Sequence, residues 1–228
     1  MASTSTAPPE TAARPAEPLR MTYDEYRDWY DKEAGRRGEW VDGEVIVFMT
    51  TTDRHRRIVT FLITVLNNYL GRLRAGELFS QDFELRTREG AAREPDIFVV
   101  LVPHLDRLET VRVVGAADLV IEVISPDSVK RDRRDKADEY ATAGIPEFWL
   151  VDPREERETI EVLTLDPDGY YVAEKPDANG RIHSLILPGV WANAEWLAYG
   201  QELPDPMTLA MEMIQSAEAV QATPSPES

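Results

Sequence analysis

The apolar positions along the chain change period several times, and each change marks an element. Tyr23, Tyr26, Trp29 and Tyr30 recur at helical spacing, and Thr22 with Glu25 three residues on forms a capping-box pattern, so a short helix is predicted there. The run from Glu39 to Met49 holds an Asp42-Gly43 pair between β-rich stretches, which predicts a hairpin. A long helix over about 55–74 follows, with Ile58, Leu62, Val65, Leu66, Tyr69 and Leu73 on one face, Asp53 as its cap and Gly76 as its end.

Three strands are predicted next, at about 77–87, 96–102 and 118–124. The last two are nearly uninterrupted apolar runs, as in strands covered on both faces. A basic helix over about 128–143 ends at Gly144, and Glu147 to Val151 reads as another strand. Two β segments near 158–165 and 169–174 meet at Asp166-Pro167-Asp168-Gly169, a turn sequence. A short helix from Met207 to Glu218 follows, its apolar side marked by Met207, Met211, Met213 and Ile214 and offering a dimer contact. Residues 1–20, rich in Ala, Pro, Thr and Ser, read as a disordered leader, 21–200 as a single domain, and 201–228 as a short helix with a disordered acidic tail. The order of elements gives an α/β class with a mixed sheet flanked by helices.

Composition narrows the chemistry. With 228 residues, 43% of them hydrophobic, the chain can build a substantial core, and the absence of cysteine excludes a disulfide scaffold, a thiolate zinc site and a cysteine nucleophile. No run approaches the roughly 18 apolar residues of a membrane span, and the N-terminus lacks the apolar centre of a secretory signal. A soluble cytoplasmic protein with no membrane partner is expected. The net charge of −17 argues against a protein that coats nucleic acid. Residues 151–228 carry 15 acidic and 4 basic side chains, a net of −11, and such an acidic face would suit a basic protein partner. Basic clusters at Arg54-His55-Arg56-Arg57 and from Lys130 to Lys136 leave room for a local phosphate-binding surface.

There is no nucleophile elbow, phosphate-binding P-loop, dinucleotide fingerprint or His-Glu-x-x-His, and His55, His104 and His183 fit no metal-ligand spacing. Two carboxylates stand out instead. Glu122 lies inside Leu119-Val120-Ile121-Glu122-Val123-Ile124, where an ionised side chain must be paired, neutralised or metal-bound. Asp96 opens the neighbouring apolar run behind Pro95. If these strands pair, the carboxylates can face one pocket and hold a hard divalent cation through oxygen ligands, which suits phosphodiester hydrolysis. The competing reading makes Asp96 a strand-edge residue and Glu122 a buried ion-pair partner.

The following helix bears on this choice. Positions 129, 133, 136 and 140 share a face, so Lys136 and Tyr140 point together, and a lysine there can orient a water or stabilise charge on phosphorus. Against that, Asp132 and Lys136 can form an i,i+4 surface pair worth about 0.3–0.5 kcal/mol. Tyr140 reads as packing against the sheet, and Phe148 and Trp149 as strand core rather than base-stacking groups.

Together, Pro95-Asp96, Glu122-Val123-Ile124-Ser125-Pro126, Asp132, Lys136, Tyr140 and the run from Gly144 to Asp152 resemble the Uma-type restriction endonuclease family of the PD-(D/E)XK nuclease superfamily. Glu39 with Gly43-Glu44, and His55, extend the similarity over about residues 21–200. The resemblance implies a restriction-endonuclease-like αβββαβ core and Asp96 and Glu122 as Mg²⁺ ligands, Mn²⁺ being the alternative ion. The lysine that the superfamily pattern places two residues after the glutamate is Ile124 here, and the resemblance moves that role to Lys136. It further implies Glu39 as a third ligand or water-positioning base, while His55, beside Arg54, Arg56 and Arg57 at a helix N-terminus, is expected to contact the scissile phosphate. The function expected is a metal-dependent endonuclease cutting DNA, with a homodimer matching a two-fold duplex. The alternatives are a catalytically silent nuclease fold serving as an interaction module, or a hydrolase of another phosphoester.

Overall fold

The computed structural model describes residues 19–32, 38–47, 52–81, 83–125, 128–129, 131–198 and 200–222. The leader before Leu19, the end of the hairpin run at Phe48 and Met49, Pro126, Lys130 and the tail after Ala222 lie outside the described residues.

The chain begins with a two-residue strand, β1 (Leu19–Arg20), and helix α1 (Tyr23–Lys32). The capping box closes α1: the Thr22 amide donates to Glu25 Oε2 at 2.8 Å and the Glu25 amide to Thr22 Oγ1 at 3.3 Å. Strands β2 (Gly38–Val41) and β3 (Glu44–Val47) form the hairpin, with Asp42 and Gly43 at φ 49° and 84°, the left-handed pair that a two-residue turn needs. The aromatic stripe of α1 packs on this hairpin through Tyr26, Trp40 and Val45.

Helix α2 (Asp53–Leu73) is capped by Thr52, one residue before the expected Asp53, its side chain accepting from the His55 amide. Asp53 is already helical and pairs with Arg57. The helix ends at Arg74, which takes the left-handed conformation at φ 51°, rather than at Gly76. Gly76 answers a different need: it opens β4 (Gly76–Ser80), where a Cβ would lie 2.4 Å from the Val100 carbonyl oxygen.

The single strand expected over 77–87 is two strands in different sheets, β4 and β5 (Glu84–Arg88), because the chain crosses from one sheet to the other between them. Next come β6 (Ala91–Arg93), β7 (Ile97–Leu101), a 3₁₀ turn, β8 (Arg112–Val114) and β9 (Leu119–Val123). The basic helix starts as π-helical turns over Arg131–Lys136 and becomes α-helical only in α3 (Ala137–Thr142). Strands β10 (Glu147–Asp152), β11 (Thr159–Leu165), β12 (Tyr171–Ala173), β13 (Ile182–His183) and β14 (Trp191–Ala192) precede the last helix, α4 (Pro206–Ala222).

Among the described residues two six-stranded mixed sheets result, β1-β3-β2-β6-β5-β8 and β12-β11-β10-β9-β7-β4, with β13 and β14 as a separate pair. The elements α2, β4, β7, β9, α3 and β10 make the expected αβββαβ core. Within the second sheet, β7 runs antiparallel and β10 parallel to β9. Alternation along these strands separates two apolar layers. Ile97, Val99, Leu119, Ile121, Val123, Trp149 and Val151 face α2 and α4. Phe98, Val100, Val120, Phe148 and Leu150 face Tyr140 of α3, Ile145 beyond its end, and Leu85 and Val113 of the first sheet. The α4 helix joins the first layer through Leu209, Ala210, Met213, Ile214 and Ala217, whereas Met207 and Met211 are exposed. Part of the expected methionine face is therefore core. No helix among the described residues is long and apolar enough to cross a membrane.

Candidate active site

The strand register brings the two carboxylates together. Ile97 pairs with Ile121, so the next step of the antiparallel ladder sets Asp96 opposite Glu122. Glu122 shares its strand face with Val120 and Ile124 and therefore faces the layer between the sheets, toward the helix after β9. That helix and the first sheet supply its surroundings.

Lys136 sits among acids. Its Nζ lies 2.7 Å from Glu122 Oε1, 3.0 Å from Glu39 Oε1 and 3.6 Å from Asp132 Oδ1, and its side chain is only 3% exposed. The Asp132–Lys136 pair is thus buried, not a solvated surface pair. Tyr140, one turn on, donates its hydroxyl to the same Glu122 oxygen at 2.8 Å, so it has a polar task in addition to packing. Glu39 is completely buried. Its Oε2 accepts from Arg93 Nη1 at 3.0 Å, while Oε1 takes the Glu94 amide at 3.3 Å and the lysine. Arg93 continues to Glu139, donating from Nη2 at 2.7 Å.

Asp96 is fixed from two sides. Its Oδ2 accepts the Val123 amide at 2.9 Å and lies 3.1 Å from His55 Nε2. A carboxylate only accepts, so Nε2 donates in this pair, and Nδ1 is buried with no hydrogen-bond partner. The His55 side chain is 4% exposed and rests against Asp96. The basic clusters read from the sequence are partly tied up in ion pairs: Arg133 binds Asp152 and Glu161, and Arg57 binds Asp53.

Burial and neighbouring charge set the ionisation states. Burial pushes the Glu122 carboxyl up; Lys136 pulls it down, but Asp132, Asp96 and Glu39 add to the rise, to about 8. Burial also opposes ionisation of Glu39, yet Lys136 and Arg93 outweigh it and hold that carboxyl well below the usual range. Desolvation disfavours the Lys136 ammonium, but Glu122, Glu39 and Asp132 more than compensate, so the lysine stays charged. The cluster carries a surplus of carboxylate over cation.

That surplus, the oxygen donors of Asp96 and Glu122 at adjacent strand positions, and Asp132 Oδ1, which accepts no hydrogen bond, fit a hard divalent cation. Among the described residues no three carboxylate or histidine side chains are grouped as a metal cluster. Such a pair of carboxylates is the protein share typical of Mg²⁺ sites, which draw the rest from water and substrate phosphate.

Among the sequence candidates, Glu39, Glu122 and Lys136 are in direct contact, Asp96 stands across the ladder from Glu122, and His55 reaches the group only through Asp96. Sequence reasoning missed Arg93 and Glu139. The available signal was weak: a basic residue three places before Asp96 and an acid three places after Lys136.

The fold and this cluster define a restriction-endonuclease-like α/β protein. The family described as "Uma2: Putative restriction endonuclease" matches residues 23–195, and the chain belongs to that nuclease family. A putative nuclease belonging to DUF820 from Anabaena variabilis ATCC 29413 is similar in structure, with a TM-score of 0.62 and 21% identity over 78% of this chain and 97% of its own. The type IIG restriction endonuclease BpuSI aligns with a TM-score of 0.38 and 15% identity, over 77% of this chain and 18% of its own, too distant to bear on the fold. No curated protein matches the chain.

Proposed function

We propose that this protein is a divalent-metal-dependent endonuclease that hydrolyses DNA phosphodiester bonds. The observation that carries the reading is a buried Lys136 held beside Glu122 at the point where β7 and β9 bring Asp96 alongside. Asp96 and Glu122 are the residues to hold Mg²⁺ or Mn²⁺, and the bound ion would supply an activated water and neutralise developing charge. Lys136 cannot act as a general base, because its neighbours keep it protonated. It is instead a fixed positive charge for the phosphoryl oxygens of the transition state. Glu39 is too weak a base to take a proton from water near neutrality, and its task is to orient Lys136. His55, shielded from solvent, orients Asp96 rather than gripping phosphate. A cytoplasmic homodimer would present two such sites to the two strands of a duplex.

The test is cleavage of supercoiled plasmid, linear duplex and single strands with Mg²⁺ or Mn²⁺, comparing wild type with Asp96→Ala and Glu122→Ala. Metal-dependent cutting lost in both variants supports the reading. Equal behaviour of all three proteins overturns it and favours an interaction module or another phosphoester.

A further inference from the structure

Arg93 belongs to no catalytic pattern, yet its environment is more demanding than that of a structural arginine. Its side chain is 4% exposed and its guanidinium is shared between two carboxylates from different elements. Nη1 donates to Glu39 of β2 at 3.0 Å; Nε and Nη2 donate to Glu139 of α3, the latter at 2.7 Å. Thr87 of β5 donates its hydroxyl to Glu139 Oε1 at 2.8 Å. Glu139 lies one helical turn beyond Lys136. The fork therefore ties the first sheet, which carries Glu39, to the helix that carries Lys136. Its outer side opens on a cavity of about 390 Å³ lined in part by Thr87, Glu139 and Thr142.

We infer that Arg93 is a positioning residue that acts on the reaction through Glu39: it holds one oxygen of that carboxylate so that the other stays on Lys136, and Glu139 holds Arg93. The inference rests on the nuclease reading given above. A planar guanidinium can serve both carboxylates at once, whereas a lysine ammonium is a point charge that cannot reproduce the fork. Loss of Arg93 leaves Glu39 free to turn, so that Lys136 loses one of the three carboxylates that fix its position. The substrate surface is untouched, so the effect falls on kcat and not on KM.

The experiment is a double-mutant cycle on the full chain with Mn²⁺ and plasmid DNA, using Glu39→Gln, Arg93→Met and their combination. If Arg93 acts through Glu39, each single variant lowers kcat about 100-fold, the double variant falls no further, and KM stays within about twofold. Losses that multiply would show that Arg93 acts independently of Glu39, and that result overturns the inference. Thr142→Val, on the same cavity wall, leaves kcat unchanged, alone and on top of Glu39→Gln. Should Arg93→Met fail to fold, Glu139→Gln takes its place in the cycle with the same two outcomes. A second readout does not need activity: the slowly exchanging ¹H–¹⁵N signal of the buried Lys136 ammonium. It is present in wild type and lost or strongly shifted in the Arg93 variant. An unchanged signal overturns the positioning role. Absence of cleavage by wild type sinks the nuclease reading and leaves the ammonium signal to decide on Arg93.

Discussion

Glu122 and Glu147 sit on adjacent parallel strands, both buried, yet they point to opposite faces of one sheet. Glu147, in line with Trp149, faces the α2 and α4 side, where Oε1 accepts the Trp149 indole at 2.7 Å and Oε2 accepts the Leu185 and Ile186 amides at 2.7 and 3.2 Å. Burial raises its pKa, and these donors act against the rise. Every partner of Glu147 among these is a neutral donor, and the group pins the chain near Ser184 to the sheet. Glu122 faces the other way, into a cluster where acids outnumber cations and its own neighbours push its proton affinity higher. A buried glutamate is structural where donors satisfy it, and chemical where the charge around it is left unbalanced.

That contrast can be broken by substitution. The largest effect is expected from Glu122→Ala, which should reduce metal-dependent cleavage by about 10³-fold or more while Glu147→Ala retains the turnover of its folded fraction, as read by initial rates per folded protein. Next, Glu147→Gln places an amide NH₂ against N–H donors and should cost about 1–3 kcal/mol of stability in urea unfolding, with metal binding unchanged.

The third effect is a pH dependence in EDTA. The folded pKa of Glu122 lies above its ordinary value of 4.5, near 8, so the fold retains a proton that the unfolded chain releases between those limits. The stability it contributes is fully present below about pH 4.5 and is lost as pH rises toward 8. Glu39 has the opposite sign, its contribution being present above the ordinary carboxylate range and lost as acid protonates it. Unfolding free energies from pH 5 to 9 should therefore fall less steeply for Glu122→Gln than for wild type. The smallest effect is that of Tyr140→Phe, which removes one donor from Glu122 Oε1 while Lys136 remains. Cleavage should drop by roughly fivefold to tenfold, about the worth of one hydrogen bond.

The same two glutamates show what the sequence disclosed. Glu122 was visible because a charge interrupts an apolar run, and Asp96 because it opens the run that pairs with it. Lys136 followed from helical spacing and from the family resemblance. The α2 helix, the Asp42-Gly43 hairpin and the αβββαβ order were readable because each rests on local periodicity or turn chemistry. What stayed hidden depends on partners distant in sequence. The division of β4 from β5 between two sheets, the short strands β6 and β8, and the reach of Arg93 from β6 to both Glu39 and Glu139 leave no local pattern. The π-helical turns at Arg131–Lys136 were equally invisible, since the run of charges there reads as an ordinary solvated helix.

The most direct test of the account is calorimetric titration of Mn²⁺ into the purified protein, with Asp96→Asn, Glu122→Gln and Glu147→Gln alongside. The account predicts saturable binding by wild type and Glu147→Gln, and its loss in both Asp96→Asn and Glu122→Gln. Binding that survives in Asp96→Asn and Glu122→Gln would contradict it and place the metal, and with it the chemistry, elsewhere in the protein.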